Sequence, residues 1–288
     1  MKPGRFSYEA SRTIEAALAS LASRGEDARL IAGGQSLAPM LNMRLARPSH
    51  LIDINGVSEL GAIRLDGDRL SIGALVRHAA LGKSDLVHRH CPLLAHAAGT
   101  IGHYAIRQRG TIGGSLAHAD PAAQLPLAAL VLDAQIEIWS ASGKRTVPAS
   151  GFFVSIFTTV VKPDELIVAV HVPLAGPRQG WGFRLFNRRA GDFAVVSVAA
   201  TLRRGDDGAT RDLRIALGGI GPIPVRVEHL AAGGVAGRPS QDWPARIAAL
   251  TADAVEIEDN ERMPREFRRE LVAALIRDAL DQALENAG

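Results

Sequence analysis

The sequence predicts an α+β protein in which two lobes, residues 1–56 and 57–175, precede a smaller α+β domain, residues 176–288. Three observations predict this. The chain has 288 residues, beyond the commonest size of one domain, and 47% are hydrophobic against 22% charged, enough for more than one buried core. Its texture changes near residue 57, from strand–helix–strand alternation to short strands paired across turns. A Pro- and Gly-containing stretch, residues 173–180, then separates a last segment that reads as three strands followed by two helices.

Taken in order, Ile14, Ala17, Leu18 and Leu21 recur at helical spacing, and Gly25 is placed to end that helix. A strand through Leu30 and Ile31 leads into a first glycine pair, Ala32-Gly33-Gly34-Gln35-Ser36. Residues 37–45 read as a short helix stopped by Pro48, and 51–54 as a second strand. In the second lobe, strands over 62–65 and 69–72 pair across Asp66-Gly67-Asp68, and helices are expected over 75–81 and 93–98. A second glycine pair, Thr111-Ile112-Gly113-Gly114-Ser115, stands where another strand should end. Asp120-Pro121 reads as a helix start, because Asp caps free N–H groups and Pro at the first helical position gives up nothing. That helix runs through Leu125, Leu127 and Leu130, and strands over 135–139 and 165–172 complete the lobe. The last domain holds strands over 182–186, 194–202 and 213–217, then helices over 243–255 and 264–285. The final helix carries Phe267, Leu271, Leu275 and Leu280 on one face, which is expected to pack on its own sheet.

The glycine pairs carry the chemistry. Residues without a Cβ let backbone N–H groups approach an anion closely, and successive N–H groups form an anion-binding concavity. One pair alone reads equally well as an ordinary turn. Two near-copies, each beside a hydroxyl, suggest two sides of one elongated phosphate ligand. There is no Gly-x-x-x-x-Gly-Lys-Ser/Thr loop and no Gly-x-Gly-x-x-Gly spacing, which argues against a nucleoside triphosphatase and a Rossmann unit. What remains is a dinucleotide gripped between loops of two lobes. No serine or cysteine nucleophile with a base, His-Glu-x-x-His motif or paired carboxylates point to acid–base or metal catalysis by side chains. A redox cofactor that brings its own chemistry fits this better.

Other features bound the function. The net charge of +3 comes from scattered arginines, with Arg188-Arg189, Arg203-Arg204 and Arg268-Arg269 the densest. None is interleaved with aromatics, so solvated surface or subunit contacts are expected, and no nucleic acid. No apolar stretch reaches the ~18 residues of a membrane span, and Met1 to Phe6 lack the apolar core of a signal peptide; a cytoplasmic protein is expected. The single cysteine, Cys91, excludes an internal disulfide, and an ordinary iron–sulfur cluster needs about four thiolates, so this chain cannot hold one alone. Its neighbours His88, His90 and His96 match no zinc spacing, and a buried structural thiol is expected. His118, close to the second glycine pair, reads as either a backbone-satisfied or a functional histidine.

The strings Ile31-Ala32-Gly33-Gly34-Gln35-Ser36-Leu37 and Arg109-Gly110-Thr111-Ile112-Gly113-Gly114-Ser115-Leu116-Ala117-His118-Ala119-Asp120-Pro121-Ala122-Ala123 resemble two FAD-binding signatures. These belong to the medium subunit of molybdenum hydroxylases, the family of the flavoprotein subunits of carbon monoxide, xanthine and bacterial N-heterocycle dehydrogenases. Arg188-Arg189-Ala190-Gly191-Asp192-Phe193-Ala194-Val195-Val196-Ser197 is similar to the motif that opens the family's C-terminal domain. The resemblance spans nearly the whole chain in the right order. It implies a two-lobed FAD-binding domain of the vanillyl-alcohol-oxidase type, followed by the smaller α+β domain.

The resemblance also implies roles for particular residues. Ala32, Gly33, Gly34, Gln35 and Ser36, with Leu37 beside them, and Thr111, Gly113, Gly114 and Ser115 would hold the pyrophosphate through backbone N–H groups and hydroxyls. Ile101 would line the flavin, Leu166 or Ile167 would lie near its rings, and Phe193 would cover one face of the isoalloxazine. Core packing is the alternative for these four. Many family members carry an acidic residue at Gln124 that bonds the FAD ribose; glutamine accepts such a bond without charge assistance. Asp120 is expected to be a helix cap, not a ligand. A valine at Gly33 or Gly114 is expected to expel FAD by blocking close backbone approach.

The implied function is electron transfer through FAD. A large partner would bind a molybdenum cofactor, and a small partner would carry two [2Fe–2S] clusters that deliver electrons to this chain, which passes them to an external acceptor. A self-contained FAD oxidase or dehydrogenase, and a non-enzymatic flavin-binding module, are the alternatives.

Overall fold

The computed structural model describes residues 2–234, 237–259 and 263–288. The first lobe contains β1 (Ser7–Ala10), α1 (Ile14–Arg24), β2 (Ala28–Ile31), α2 (Leu37–Asn42) and β3 (His50–Asp53). Its sheet has the order β1-β3-β2, with β3 parallel to both neighbours. Thr13 caps α1 by accepting the Ala16 N–H at 3.2 Å, and Ile14, Ala17, Leu18 and Leu21 are buried as their spacing predicts. The edge strand β1 was not expected, because Ser-Tyr-Glu-Ala is mostly exposed and carries no apolar alternation. Helix α2 stops short of residue 45. Arg44 turns left-handed at φ 60°, and the Leu45 N–H returns to the Met40 carbonyl at 2.9 Å, three residues before Pro48 acts.

The second lobe opens with the hairpin β4 (Ile63–Asp66) and β5 (Arg69–Gly73). Six short helices follow: α3 (His78–Leu81), α4 (Asp85–His90), α5 (Pro92–Gly99), α6 (Tyr104–Arg109), α7 (Ile112–His118) and α8 (Gln124–Val131). Then come β6 (Gln135–Ser140), β7 (Gly143–Pro148), the small hairpin β8 (Phe153–Ser155) and β9 (Thr158–Thr159), and β10 (Leu166–Pro173). The main sheet is antiparallel with the order β4-β5-β10-β6-β7. The helix expected over 75–81 shrinks to α3, because Ala74 and Leu75 are drawn out into pairing: their N–H groups donate to Val168 at 2.9 Å and Leu60 at 2.8 Å. Strand β10 lies between two cores. Leu166 and Val168 pack into the first lobe's core, whereas Ile167, Val170 and Val172 pack into the second lobe's, with a bulge between Ile167 and Ala169.

In the C-terminal domain, β11 (Gln179–Phe186), β12 (Val196–Arg204), β13 (Thr210–Gly218) and β14 (Val225–Arg226) form an antiparallel sheet in that order. On one face lie α9 (Trp243–Ala254) and α10 (Arg265–Ala287), and α8 of the second lobe covers the other. Successive residues of β12 serve the two layers: Val198, Ala200 and Leu202 meet α9 and α10, and Ala199 meets the α8 side. Asp133, just after α8, ties the layers by pairing with Arg214 at 2.8 Å and Arg226 at 2.7 Å.

Helix α10 packs on its own sheet, as expected, but through a stripe that shares only Leu280 with the face expected. Val272, Ile276, Ala279, Leu280, Ala283 and Ala287 are buried, Phe267 is 40% exposed, and Leu271 and Leu275 are only partly covered. The reason is a close helix–strand approach: a Cβ built at Gly180 or Gly182 of β11 would lie 1.8 or 1.9 Å from the carbonyls of Ala283 and Ala279. The small residues therefore choose the face. Arg268, expected on the surface, falls in the buried stripe at 3% exposure and donates to the carbonyls of Glu258 and Gly219. Among the described residues no helix is long and apolar enough to cross a membrane.

A candidate cofactor cleft between the lobes

A cleft of about 500 Å³ opens where the lobes meet, a size typical of small-molecule sites. The first lobe lines it with Ala32, Gly33, Gly34, Gln35, Ser36 and Leu37, and the second with Ile101, Thr111, Gly113, Gly114, Ser115, Gln124, Leu166 and Ile167. The loop before β12 adds Gly191, Asp192 and Phe193. Every residue singled out from the sequence as a site candidate therefore borders one space.

The four paired glycines answer four different demands. Gly34 holds φ at 71°, a left-handed value costly for residues with a Cβ. A Cβ on Gly33 would stand 2.2 Å from the Arg109 carbonyl oxygen, so this glycine lets one lobe touch the other. On Gly113 it would stand 2.5 Å from the Ala74 Cβ, against the lobe's own β-structure. Only at Gly114 does it meet a single atom within 4 Å, Thr111 Oγ1 at 2.8 Å.

The second pair does not follow a strand, as the sequence suggested. It forms the first turn of α7 behind α6, with Thr111 accepting the Gly114 N–H at 3.1 Å. The Gly113 and Ser115 N–H groups are also taken, by Ala74 at 2.9 Å and Thr111 at 3.0 Å. In contrast, the N–H groups of Gly34, Gln35 and Ser36 meet no acceptor among the described residues. The first pair thus offers free donors, and the second a bare wall with the Ser115 hydroxyl. Asp120-Pro121 does not start α8 either. Asp120 accepts the Ala122 N–H at 2.8 Å, and the Pro121 carbonyl is held by the Gly219 N–H at 2.9 Å, so the helix begins only at Gln124.

Five side chains bear on the open questions of the sequence. Gln124 is 4% exposed and its carboxamide has no partner among the described residues, yet it borders the cleft. Phe193 is 61% exposed, which excludes a core role; Leu166 and Ile167 are buried and line the cleft as well. His118 stacks on Phe157 at 4.8 Å and borders the cleft, and among the described residues no backbone hydrogen bond holds its ring. Cys91 is buried, and burial pushes its thiol up to about 12. Among the described residues no cluster of His, Cys, Asp or Glu could hold a metal ion.

Sequence reasoning missed His78, which follows Arg77 after the apolar run Gly73 to Val76 and belongs to no motif. Its Nε2 lies 3.0 Å from both the Thr111 carbonyl and Ser115 Oγ. A carbonyl only accepts, so Nε2 carries the proton. Burial pushes His78 down from its ordinary 6.5 to about 4. The unfolded chain takes up a proton here near pH 6.5, and the folded chain only near pH 4. His78 therefore contributes stability that is complete above pH 6.5 and lost as pH falls toward 4, on the order of 3 kcal/mol. Urea denaturation at about pH 7.5 and 5 checks this, above the titration of most carboxylates. The wild type is expected to lose stability on acidification and His78→Gln to lose less; equal losses would place the sensitivity elsewhere.

The third wall rests on the second lobe. Arg107 donates to the carbonyls of Ile101 and Gly102, both at 2.8 Å, fixing the turn that brings Ile101 to the cleft. A Cβ on Gly191 would lie 2.4 Å from the His103 ring, so the loop carrying Phe193 sits directly on that turn.

Comparison with known proteins bears on this architecture. Residues 4–175 match the family of the FAD binding domain in molybdopterin dehydrogenase, and residues 181–283 the CO dehydrogenase flavoprotein C-terminal domain. The chain belongs to the FAD-binding medium subunits of molybdenum hydroxylases. Relatives include the 6-hydroxypseudooxynicotine dehydrogenase complex subunit alpha of Paenarthrobacter nicotinovorans, 44% identical over 80% of this chain and 77% of that one. Caffeine dehydrogenase subunit beta of Pseudomonas sp. strain CBB1 is 34% identical over 99% of this chain and 97% of the relative. A chain of carbon monoxide dehydrogenase from Hydrogenophaga pseudoflava superposes with a TM-score of 0.94 at 34% identity, covering 100% of both chains. The medium-subunit fold, a two-lobed FAD-binding domain with a smaller α+β domain behind it, is that of this protein, and the family is one of oxidoreductases.

Proposed function

We propose that this chain carries FAD as the electron-transfer subunit of a molybdenum hydroxylase complex. Residues 1–56 and 57–175 form its FAD-binding lobes and 176–288 its C-terminal domain. The chain accepts electrons from the [2Fe–2S] clusters of a small partner and passes them to an external acceptor, while a large partner holds the molybdenum cofactor. One observation carries the reading: a single cleft gathers both glycine pairs, the unpartnered carboxamide of Gln124 and an exposed aromatic ring.

The residues present fit the cofactor. The free N–H groups of Gly34, Gln35 and Ser36 would hold the pyrophosphate, each hydrogen bond to a charged acceptor contributing about 1.5–3 kcal/mol. Ser115 would add its hydroxyl, and the glycine wall of the second pair would admit the ligand closely. The Gln124 carboxamide would bond a ribose hydroxyl. Ile101, Leu166, Ile167 and Phe193 would enclose the ring system and exclude water from it. When bound, FAD supplies both one- and two-electron chemistry, which suits a link between iron–sulfur centres and an external acceptor. The lone thiol, buried and protonated, leaves cluster binding to another polypeptide.

Purification of the tagged chain from its host tests this. The expected preparation contains FAD at one per chain, a larger molybdenum-containing polypeptide and a smaller one with iron and acid-labile sulfide. An isolated chain that oxidises an organic substrate with stoichiometric flavin reduction favours the self-contained oxidase. A chain that never retains flavin overturns the reading.

A further inference from the structure

We infer that Arg77 and Asn55, neither of which lines the cleft, are positioning residues that set the spacing between the two glycine pairs and thereby the affinity for FAD. The inference rests on the FAD reading given above.

A continuous chain of hydrogen bonds joins the lobes behind the cleft. Asn55 Nδ2 donates to the carbonyl of Ala32, immediately ahead of the first pair, at 2.7 Å. Asn55 Oδ1 accepts from Arg77 Nη2 at 2.6 Å, and Arg77 Nη1 donates to the carbonyl of Arg109. That carbonyl is the atom against which Gly33 packs. Both ends of the chain are anchored. Asp53 Oδ1 accepts from the N–H and Nδ2 of Asn55 at 2.8 and 2.6 Å, and Asp53 Oδ2 accepts from the Tyr8 hydroxyl at 2.7 Å. At the other end the Arg77 backbone bridges to Thr111; beside it the His78 N–H donates to Gly110 and the Ile112 N–H to Val76, both at 3.0 Å. Arg77 thus moves with the second pair, and its side chain reaches across to the first.

The choice of residues matches this work. A guanidinium presents donors in a rigid planar fork that serves two acceptors at fixed separation, whereas an ammonium is a point charge on a flexible stem. The charge itself is poorly placed: burial and the nearby Arg109 both lower the Arg77 pKa, and Asp53 opposes them. Geometry therefore accounts for the arginine better than attraction does. A pyrophosphate held by donors of one lobe against the wall of the other requires that separation to stay constant.

Titration of flavin-stripped full-length chain with FAD, followed by flavin fluorescence, tests the inference alongside thermal midpoints of the apo chain. Asn55→Ala and Arg77→Lys are each expected to raise the Kd roughly tenfold, the order of one lost charge-assisted hydrogen bond. The double variant is expected to bind no worse than either single one, because both break the same bridge. Wild-type affinity in Arg77→Lys would show that charge alone matters, and fully additive losses would show two independent roles; either overturns the inference. Asn55 is exposed, so its alanine variant does not threaten the core, and an unchanged Kd there is decisive against the bridge even if Arg77→Lys fails to fold. A wild-type chain that binds no FAD overturns the cofactor reading itself.

Discussion

Gly33→Ala is expected to lower the thermal midpoint of the apo chain and to strip it of FAD, whereas Gly114→Ala removes FAD from a chain that melts almost as before. The added Cβ at Gly33 would lie 2.2 Å from the Arg109 carbonyl oxygen, 2.8 Å from its carbon and 2.9 Å from the Gly110 Cα. All three are backbone atoms in the opposite lobe, so the clash is relieved only by parting the lobes. Overpacking of this kind costs about 1–3 kcal/mol. The glycine was expected to make room for the ligand, but the structure shows that it first makes room for the protein. At Gly114 the new Cβ meets only the Thr111 hydroxyl, 2.8 Å away, and projects where a ligand would approach. Calorimetry of the apo chain and flavin content after reconstitution separate the cases. An unshifted midpoint in Gly33→Ala would mean that the lobes part freely, and full flavin in Gly114→Ala would mean that the second pair does not face the cofactor.

Arg268→Ala is expected to destabilise the C-terminal domain by about 2–5 kcal/mol, read from urea denaturation. The side chain is 3% exposed and donates to two backbone carbonyls, Glu258 at 2.7 Å and Gly219. Truncation removes the donor from both carbonyls and empties the buried space of the aliphatic stem. The effect reaches the cleft, because the Gly219 N–H holds the Pro121 carbonyl at 2.9 Å, ahead of Gln124. A loss below about 0.5 kcal/mol, the scale of ordinary surface substitutions, would show that water replaces the guanidinium.

The parts of the fold that were legible in the sequence are those in which local pattern and tertiary demand agree. Helix α1 has its apolar spacing, its Thr13 cap and its terminal glycine all pointing one way. The elements that escaped lack a local signature. Strand β1 exists because an edge of β3 was available, and the short helices α4 and α6 bury little of their own. The stripe of α10 was misread because Phe267, Leu271 and Leu275 look more hydrophobic than Ala279 and Ala283; the decision belonged to Gly180 and Gly182, about a hundred residues away. The same division runs through the site. Backbone-driven motifs were visible as strings, and every residue they nominated borders the cleft. His78, Asn55 and Arg77 were invisible because their partners are carbonyls and side chains brought near only by the fold.

The state of Cys91 has a practical consequence for studying the complex. With its thiol pushed up to about 12 and no solvent contact to speak of, thiolate at neutral pH is fewer than about one part in ten thousand. The chain is therefore silent toward maleimides and spin-label reagents as it stands. A cysteine introduced at Tyr104 or Val154, 67% and 56% exposed, would be the one thiol to react. Distances from either position to a partner subunit can then be measured without first removing a native residue.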